Sequence, residues 1–242
     1  MAIHKPPANQ FFIGSLSEPP SANLSEGWKY TLVHDFSCGG FSNISIHVSM
    51  LEPGTVPHEV HSHEDEEILF ILSGTLEVIR GNPDEQEVSN NPVIEKNGFV
   101  YHSREYRHTL RALGGSDAHY LVLRWNRNKK LVNGPSPFCV TLSRPDPFPI
   151  NAAGFQIQPV VPLQVKTGDR IRAHYSCVQP GAGYGLHKDR HNVLIIIYEG
   201  IVEFIGKKEP APAVAFFASG FPHSLKNPGN IPANYIAFEL ED

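Results

Sequence analysis

Apolar residues occur along the chain in short runs that lack helical spacing. Runs rich in Val, Ile, Phe and Tyr end at Gly or Pro about every 8–12 residues, which is typical of all-β proteins. The acidic segment His63–Glu67 leads directly into the apolar run Ile68–Leu72, which predicts a strand with a bend at its start. Closed barrels need many turns and leave no strand edge unpaired. The pattern therefore predicts an all-β fold of two barrels packed together.

Three sequence blocks occur twice in the same order, which predicts a tandem duplication. The second copies follow the first at offsets of 127, 126 and 115 residues: His47–Gly54 and His174–Gly181, Gly74–Ile79 and Gly200–Ile205, His108–Leu121 and His223–Ile236. A repeat this long corresponds to whole domains and not to solenoid units. Apolar periodicity lapses in the Pro-rich stretch Asn126–Ala153. We therefore predict a first domain at residues 1–140 and a second at residues 141–242.

The composition narrows the classes of function. Of the 242 residues, 40% are hydrophobic and 19% are charged, and the formal net charge is -5. The acidic balance argues against nucleic acid or an anionic membrane surface as the main partner. The apolar runs are too short to span a bilayer and the first residues lack a signal-like apolar core, so we expect a cytoplasmic protein. The three cysteines lack CxxC spacing, which argues against a thiolate metal site.

Histidines and a glutamate share strand faces in the first copy. Residues two apart on a strand face the same side, so His61, His63 and Glu67 are expected to face the barrel interior. Alternation turns His108 inward as well, because the residues on both sides of it are polar. Imidazoles and a carboxylate on an apolar wall are costly to bury unpaired, and a divalent cation offsets that cost. The alternative is a hydrogen-bonded histidine cluster without metal.

The spacing in this region resembles the two motifs of the cupin superfamily. The residues that carry the resemblance read Gly54-x6-His61-x-His63-x3-Glu67-x6-Gly74, followed by His108. The resemblance covers roughly residues 44–125 and 171–240 and implies a two-domain member, or bicupin, with two tandem double-stranded β-helix (jelly-roll) barrels. It also implies that His61, His63, Glu67 and His108 are the metal ligands. The pattern departs from the family at Ser103 and Glu105, where a Pro-x-Gly turn is usual, and at Ala112, where Asn is usual.

The second copy keeps most of the second motif but has a degenerate first motif. The family's ligand positions there fall on His187, Asp189 and Val193, so the glutamate is lost. His191 shares a strand face with the first two and is a further candidate. A second metal would be held by residues from the set His187, Asp189, His191 and His223. The alternative is a vestigial site kept for packing and dimerisation, which leaves a homodimer open.

Polar residues just before His108 are candidates for substrate recognition at the barrel mouth, because guanidinium groups pair well with carboxylates. They are Tyr101, His102, Arg104 and Arg107. The alternative is a solvated charged loop. The repeated His47 and His174 are interpreted as structural, since their apolar neighbours indicate half-buried strands.

The candidate ligands predict a reactive centre. Four N and O ligands leave one or two positions open on a five- or six-coordinate ion, as substrate or dioxygen binding requires. We expect one divalent transition metal per chain (Fe, Mn, Ni, Co, Cu or Zn), with a second left open, and a small-molecule substrate. The first functional hypothesis is an iron-type dioxygenase. The alternatives are a non-redox metal-dependent isomerase or lyase and a cupin that binds a small ligand or metal without catalysis.

Overall fold

The computed structural model describes residues 10–38, 40–81, 91–126, 139–142, 151, 153–164 and 170–241. This part of the chain is folded into β-strands, turns and loops and contains no α-helix. The all-β prediction is therefore confirmed. Among these residues, nothing forms an apolar helix of the length that a bilayer crossing requires.

The first half of the chain forms a seven-stranded sheet, ordered β11-β8-β5-β10-β4-β3-β2, and a three-stranded sheet, ordered β7-β6-β9. All of the pairings are antiparallel. The strands are β2 (Ala22–Ser25), β3 (Trp28–Cys38), β4 (Phe41–Leu51), β5 (Glu66–Ser73), β6 (Thr75–Arg80), β7 (Val93–Glu95), β8 (Phe99–His102), β9 (His108–Leu113), β10 (Ala118–Asn126) and β11 (Cys139–Leu142).

The second half repeats this arrangement with a six-stranded sheet, ordered β1-β18-β15-β20-β13-β12, and a four-stranded sheet, ordered β14-β19-β16-β17. The strands are β1 (Phe11–Ser15), β12 (Phe155–Gln164), β13 (Arg170–Val178), β14 (Gly183–His187), β15 (Asn192–Glu199), β16 (Ile201–Phe204), β17 (Lys207–Pro210), β18 (Ala213–Phe217), β19 (His223–Lys226) and β20 (Ala233–Glu241). The two halves therefore share one strand order.

The two halves exchange their leading strands. Strand β1, which precedes the first barrel, pairs with β18 of the second, and β11, which precedes the second barrel, pairs with β8 of the first. The predicted domain boundary at residue 140 lies within β11. The division into residues 1–140 and 141–242 stays a prediction, and the strand exchange links the two parts.

Buried apolar residues form one cluster inside each barrel and a third cluster between the two large sheets. On β5, Leu69 and Ile71 pack inside the first barrel, whereas Ile68 and Phe70 belong to the cluster between the sheets. Both faces of the strand are thus buried. This explains why Ile68–Leu72 is an uninterrupted apolar run, and it places the face that carries Glu67 inside the barrel.

Candidate metal centre

The backbone brings the two histidine-bearing segments of the first barrel together. His61 and His108 form an antiparallel bridge, in which the His61 N–H donates to the His108 carbonyl at 3.1 Å and the His108 N–H donates to the His61 carbonyl at 2.9 Å. Glu67 enters from β5 and is 1% exposed. The four candidate ligands thus come from the start of β9, the start of β5 and the loop before β5.

The turn before His108 is formed without the glycine that is usual in cupins. Glu105 adopts a left-handed conformation with a φ of 63°. Its N–H donates to the His63 carbonyl at 2.8 Å, which ties the turn to the loop that carries His63. A left-handed conformation costs a non-glycine residue about 1–2 kcal/mol. The hydrogen bond offsets part of this cost and keeps His63 close to His108.

The imidazoles of His63 and His108 lie beside the Glu67 carboxylate. The Nε2 atom of His108 lies 3.0 Å from Glu67 Oε1, and that of His63 lies 3.5 Å from Glu67 Oε2. The ligand atoms of His61, His63 and His108 all lie within 4.8 Å of one another. Two ligands at about 2.1 Å from one ion and at right angles to each other are about 3 Å apart. The observed separations are therefore compatible with a shared cation.

Hydrogen bonds to backbone carbonyls fix the tautomers of two of the imidazoles. His63 Nδ1 lies 2.9 Å from the Asp65 carbonyl, and His108 Nδ1 lies 2.9 Å from the Tyr106 carbonyl. A carbonyl only accepts, so each Nδ1 carries the proton and each Nε2 keeps its lone pair. His63 Nε2 is buried and has no hydrogen-bond partner. This lone pair without a partner faces Glu67. Imidazole nitrogens and a carboxylate oxygen are ligands that suit a divalent transition metal.

The local electrostatics favour the metal-ligating protonation states. The pKa of His61 is lowered to about 4, chiefly by burial and also by the neighbouring imidazoles of His58, His108 and His63. Burial alone would raise the pKa of Glu67, but the Arg124 guanidinium and then His108 hold it well below its ordinary value. At neutral pH, His61 is therefore neutral and Glu67 is anionic.

The four residues predicted to recognise substrate do not line the cavity at this centre. Tyr101 and His102 lie on β8 and are both 0% exposed, because β8 pairs with β5 and is covered on both faces. The Tyr101 hydroxyl and the Arg104 N–H both donate to Glu66 Oε2. Arg107 is exposed, and its Nη2 lies 3.4 Å from the Val60 carbonyl. The segment that carries these four residues is β8 and the turn after it. Its position does not support the predicted role in substrate recognition at the barrel mouth.

His102 instead belongs to the metal-competent cluster. Its Nδ1 donates to Glu67 Oε1 at 3.1 Å, and its ring stacks on that of His108 with 3.7 Å between the centroids. The pKa of His102 is lowered to about 4, chiefly by burial and also by the neighbouring His108. His102 therefore orients the Glu67 carboxylate. Because β8 is buried on both faces, the sequence carries no alternation that would place His102 at the centre.

The cavity beside the centre has a volume of about 210 Å³. Its polar lining residues are Tyr30, His47, Ser49, His58, His61, Glu67, His108, Tyr120 and Arg124. The sequence reasoning missed Arg124, whose Nε donates to Glu67 Oε2 at 2.6 Å. The signal was available, since alternation along β10 places Tyr120, Val122 and Arg124 on one face. In the register, Arg124 lies directly opposite Glu67.

The second barrel assembles three of its four predicted residues. The Nε2 atoms of His187 and His223 lie 3.5 and 3.3 Å from Asp189 Oδ2. His191 lies elsewhere, because its Nε2 is 3.6 Å from Glu239 Oε2. His187, Asp189 and His223 form one group without His191. Val193 lies at the position that Glu67 has in the first barrel and supplies no carboxylate. Metal binding in this barrel stays a prediction.

Comparisons with known proteins agree with this fold. A variant of Bacillus subtilis oxalate decarboxylase has a TM-score of 0.71 and 16% identity, over 99% of this chain and 79% of that one. Lactobacillus farciminis oxalate decarboxylase in complex with formate has a TM-score of 0.67 and 15% identity, over 98% and 88% of the two chains. AerE from Microcystis aeruginosa has a TM-score of 0.69 and 14% identity, over 96% and 99%. A comparison with curated proteins found no match.

The solved structures share the fold of the chain, and the family comparison adds a match within the first barrel. The family model described as "Cupin domain" matches residues 47–124. This match includes all four candidate ligands and Arg124. Residues 47–124 are therefore similar to a cupin domain.

Proposed function

We propose that this protein is a two-domain cupin enzyme that holds one divalent transition metal in its first barrel and acts on a small organic molecule. The metal would be held by His61, His63, Glu67 and His108. The observation that carries the proposal is the buried, unpartnered Nε2 of His63, which faces the Glu67 carboxylate beside the His108 lone pair. A bound metal supplies a Lewis acid with open positions and, if it is iron, redox chemistry as well.

Arg124 supports a substrate that carries a carboxylate. Its Nε is held by Glu67, and the guanidinium lines the cavity, so its other N–H groups are available to a ligand. Guanidinium groups pair with carboxylates through two parallel hydrogen bonds. The cavity of about 210 Å³ is small for a ligand pocket. We therefore propose a small organic acid as the substrate, in line with the small dicarboxylate in the name of the oxalate decarboxylases.

Tyr120 is placed to donate a proton in a hydrogen bond to that substrate. The residue lines the cavity on the same strand face as Arg124. Burial raises the pKa of Tyr120, so the phenol keeps its proton at neutral pH. A neutral phenol beside a guanidinium can hold a carboxylate or a carbonyl oxygen in a fixed orientation.

For the reaction, an iron-type, dioxygen-dependent conversion is the first candidate. The second is a non-redox lyase or isomerase reaction, which the Arg124 anchor and the fold shared with decarboxylases favour. The two differ in one requirement, since only the first consumes dioxygen. Turnover of small carboxylates under anaerobic conditions would select the second.

The metal content of purified variants tests the proposed function. We expect His108→Ala to lower the metal content by one equivalent per chain, because it removes a ligand and leaves the other three incomplete. His119→Ala is the matched control, since it removes a histidine of the neighbouring strand β10 that does not line the cavity. Elemental analysis of protein prepared without added chelator measures both. Full metal content in His108→Ala would refute the assignment of the centre.

Arg124→Gln separates the substrate anchor from the metal centre. The variant keeps all four ligands, so we expect it to retain its metal while KM for a carboxylate substrate rises at least about tenfold. Oxygen consumption and product formation, measured against small carboxylates and against uncharged diketones, give the comparison. Equal loss of activity for both groups of compounds would argue against a carboxylate anchor.

A further inference from the structure

His47 and Arg124 are neighbours on the inner wall of the first barrel. In the register of β4 and β10, His47 lies opposite Val122, and Arg124 is two residues further along β10. Residues two apart on a strand share a face, and diagonal cross-strand neighbours are about 7–8 Å apart. Both side chains line the same cavity of about 210 Å³. Burial and then the charge of Arg124 lower the pKa of His47, so the guanidinium is close enough to act on the imidazole.

The equivalent histidine of the second barrel has an acidic neighbour instead. In the register of β13 and β20, His174 lies opposite Ala237, and Glu239 is two residues further along β20. His174 Nδ1 lies 3.8 Å from Glu239 Oε1. Arg172 lies directly opposite Glu239, so this carboxylate also has a cationic neighbour. In the second barrel, the carboxylate beside the repeated histidine therefore belongs to the protein itself.

In the first barrel, His47 lacks a carboxylate at the equivalent position. Its ring lies 5.0 Å from that of Tyr30, and no described residue is hydrogen-bonded to it. Arg124 cannot accept a hydrogen bond from the imidazole, because a guanidinium only donates. Its Nε is held by Glu67, which leaves its other N–H groups to face the cavity. Donors of both residues thus border one cavity, and the protein supplies no acceptor for the imidazole.

We propose that His47 and Arg124 hold the carboxylate of the substrate between them. One oxygen accepts hydrogen bonds from the Arg124 guanidinium, and the other accepts one from the imidazole N–H of His47. A carboxylate that accepts a hydrogen bond of about 2.9 Å at each oxygen joins donors that are several ångströms apart. The inference rests on the proposed function, in which Arg124 binds a small organic acid, and it gives His47 a binding role.

This pair selects an anion over a neutral ligand of the same shape. A primary amide has an NH₂ group in place of one carboxylate oxygen, and that group cannot accept a hydrogen bond from His47 or Arg124. Two donors that face each other disfavour binding. In the second barrel, Glu239 stands where Arg124 would be and repels an anion. We therefore expect one carboxylate to bind per chain.

Calorimetric titration of the full chain with propionate and with propionamide tests the inference, because the two probes have similar size and differ in charge. We expect His47→Phe to weaken propionate binding at least about tenfold, since it keeps a ring beside Tyr30 and removes the N–H. His47→Gln keeps an N–H donor and should retain most of the affinity. His119→Phe, on β10 and outside the cavity, is the matched control and should bind propionate as the wild type does.

Equal propionate affinity in the wild type and in folded His47→Phe would overturn the proposal. Far-UV circular dichroism checks the fold, and His47→Leu, which also removes the N–H, replaces His47→Phe if that variant does not fold. Propionate binding that disappears when metal is removed by chelation would overturn the proposal too, because the metal would then hold the carboxylate. The metal content of His108→Ala tests the proposed centre separately, so failure of the centre and failure of this pair are distinguishable.

Discussion

At the scale of single residues, His47 links the cavity to the stability of the first barrel. It lies on β4 and lines the cavity, with its ring 5.0 Å from that of Tyr30. The pKa of His47 is lowered to about 4, first by burial and then by the Arg124 charge, with Glu67 acting in the opposite direction. This position is compatible with the interpretation of His47 as a structural residue. His47 is also part of the wall of the cavity beside the candidate metal centre.

The lowered pKa of His47 predicts that stability falls in acid. Between pH 6.5 and about 4 the unfolded chain binds a proton at this position that the folded chain does not, so the free energy of unfolding decreases as the pH falls through this window. We expect His47→Gln to remove up to about 3 kcal/mol of this decrease. Urea denaturation of metal-free protein at several pH values measures it. Identical pH slopes for the variant and the wild type would contradict the prediction.

Which residues the sequence identifies depends on whether a strand has one or two buried faces. His61, His63, Glu67 and His108 could be predicted because alternation and motif spacing agree, and the structure brings their side chains together. Tyr101 is predicted to recognise substrate because it stands just before His108 in a cluster with two arginines. In a strand that is buried on both faces, apolar and polar residues do not alternate, so the pattern does not show that Tyr101 is buried.

At the scale of elements, the exchange of β1 and β11 determines how each large sheet ends. β1 covers the edge strand β18, and β11 covers the edge strand β8. An uncovered edge strand exposes unpaired N–H and C=O groups and promotes association. The exchange therefore makes β1 and β11 the outermost strands in place of β18 and β8, and it ties each barrel to a segment from the other half of the chain.

Strand β1 is expected to be necessary for the stability of the second barrel. Ile13 is 8% exposed and packs in the core of that barrel, opposite Ala215 of β18. Ile13→Asp buries an unpaired carboxylate there, so we expect a loss of about 3 kcal/mol or more and a Tm lower by about 6–12 °C. Ser15→Asp, on the same strand and exposed, is the control. Equal Tm values for the two variants would contradict the role of β1.

The sequence predicts strands better than it predicts their partners. Short apolar runs and Gly or Pro turns are local signals, and they identified β5 correctly. The pairing of Phe11–Ser15 with Ala213–Phe217 joins segments from the two ends of the described chain, and no local signal specifies it. The exchange becomes evident only when both sheets are assembled.

At the scale of the whole molecule, the repeat offsets predicted the duplication, and the shared strand order agrees with it. The offsets could not predict how the two copies pack. The structure packs them through the outer faces of their large sheets, where Phe99 meets Phe238 at 5.1 Å and Phe36 meets Phe216 at 4.9 Å. The Tyr175 hydroxyl also donates to the Asn97 carbonyl across this contact at 2.7 Å.

This shared core predicts that the two barrels unfold together. The two tryptophans, Trp28 and Trp125, lie on β3 and β10 of the first barrel, so their fluorescence reports on that barrel, whereas far-UV circular dichroism reports on both. We expect the two signals to change in one coincident transition, because exposing the face that carries Phe238 removes apolar burial from both sheets at once.

Phe99→Ala tests this coupling most directly. Phe99 is 0% exposed and its ring packs edge-on against Phe238 of the second barrel, so truncation should cost about 3–5 kcal/mol and should shift the fluorescence and dichroism transitions together. Val93→Ala is the control, because Val93 lies on β7 with 48% of its surface exposed and should shift neither. If Phe99→Ala lowered the fluorescence midpoint alone, the barrels would be separate folding units. The contact between the sheets would then not couple their stability.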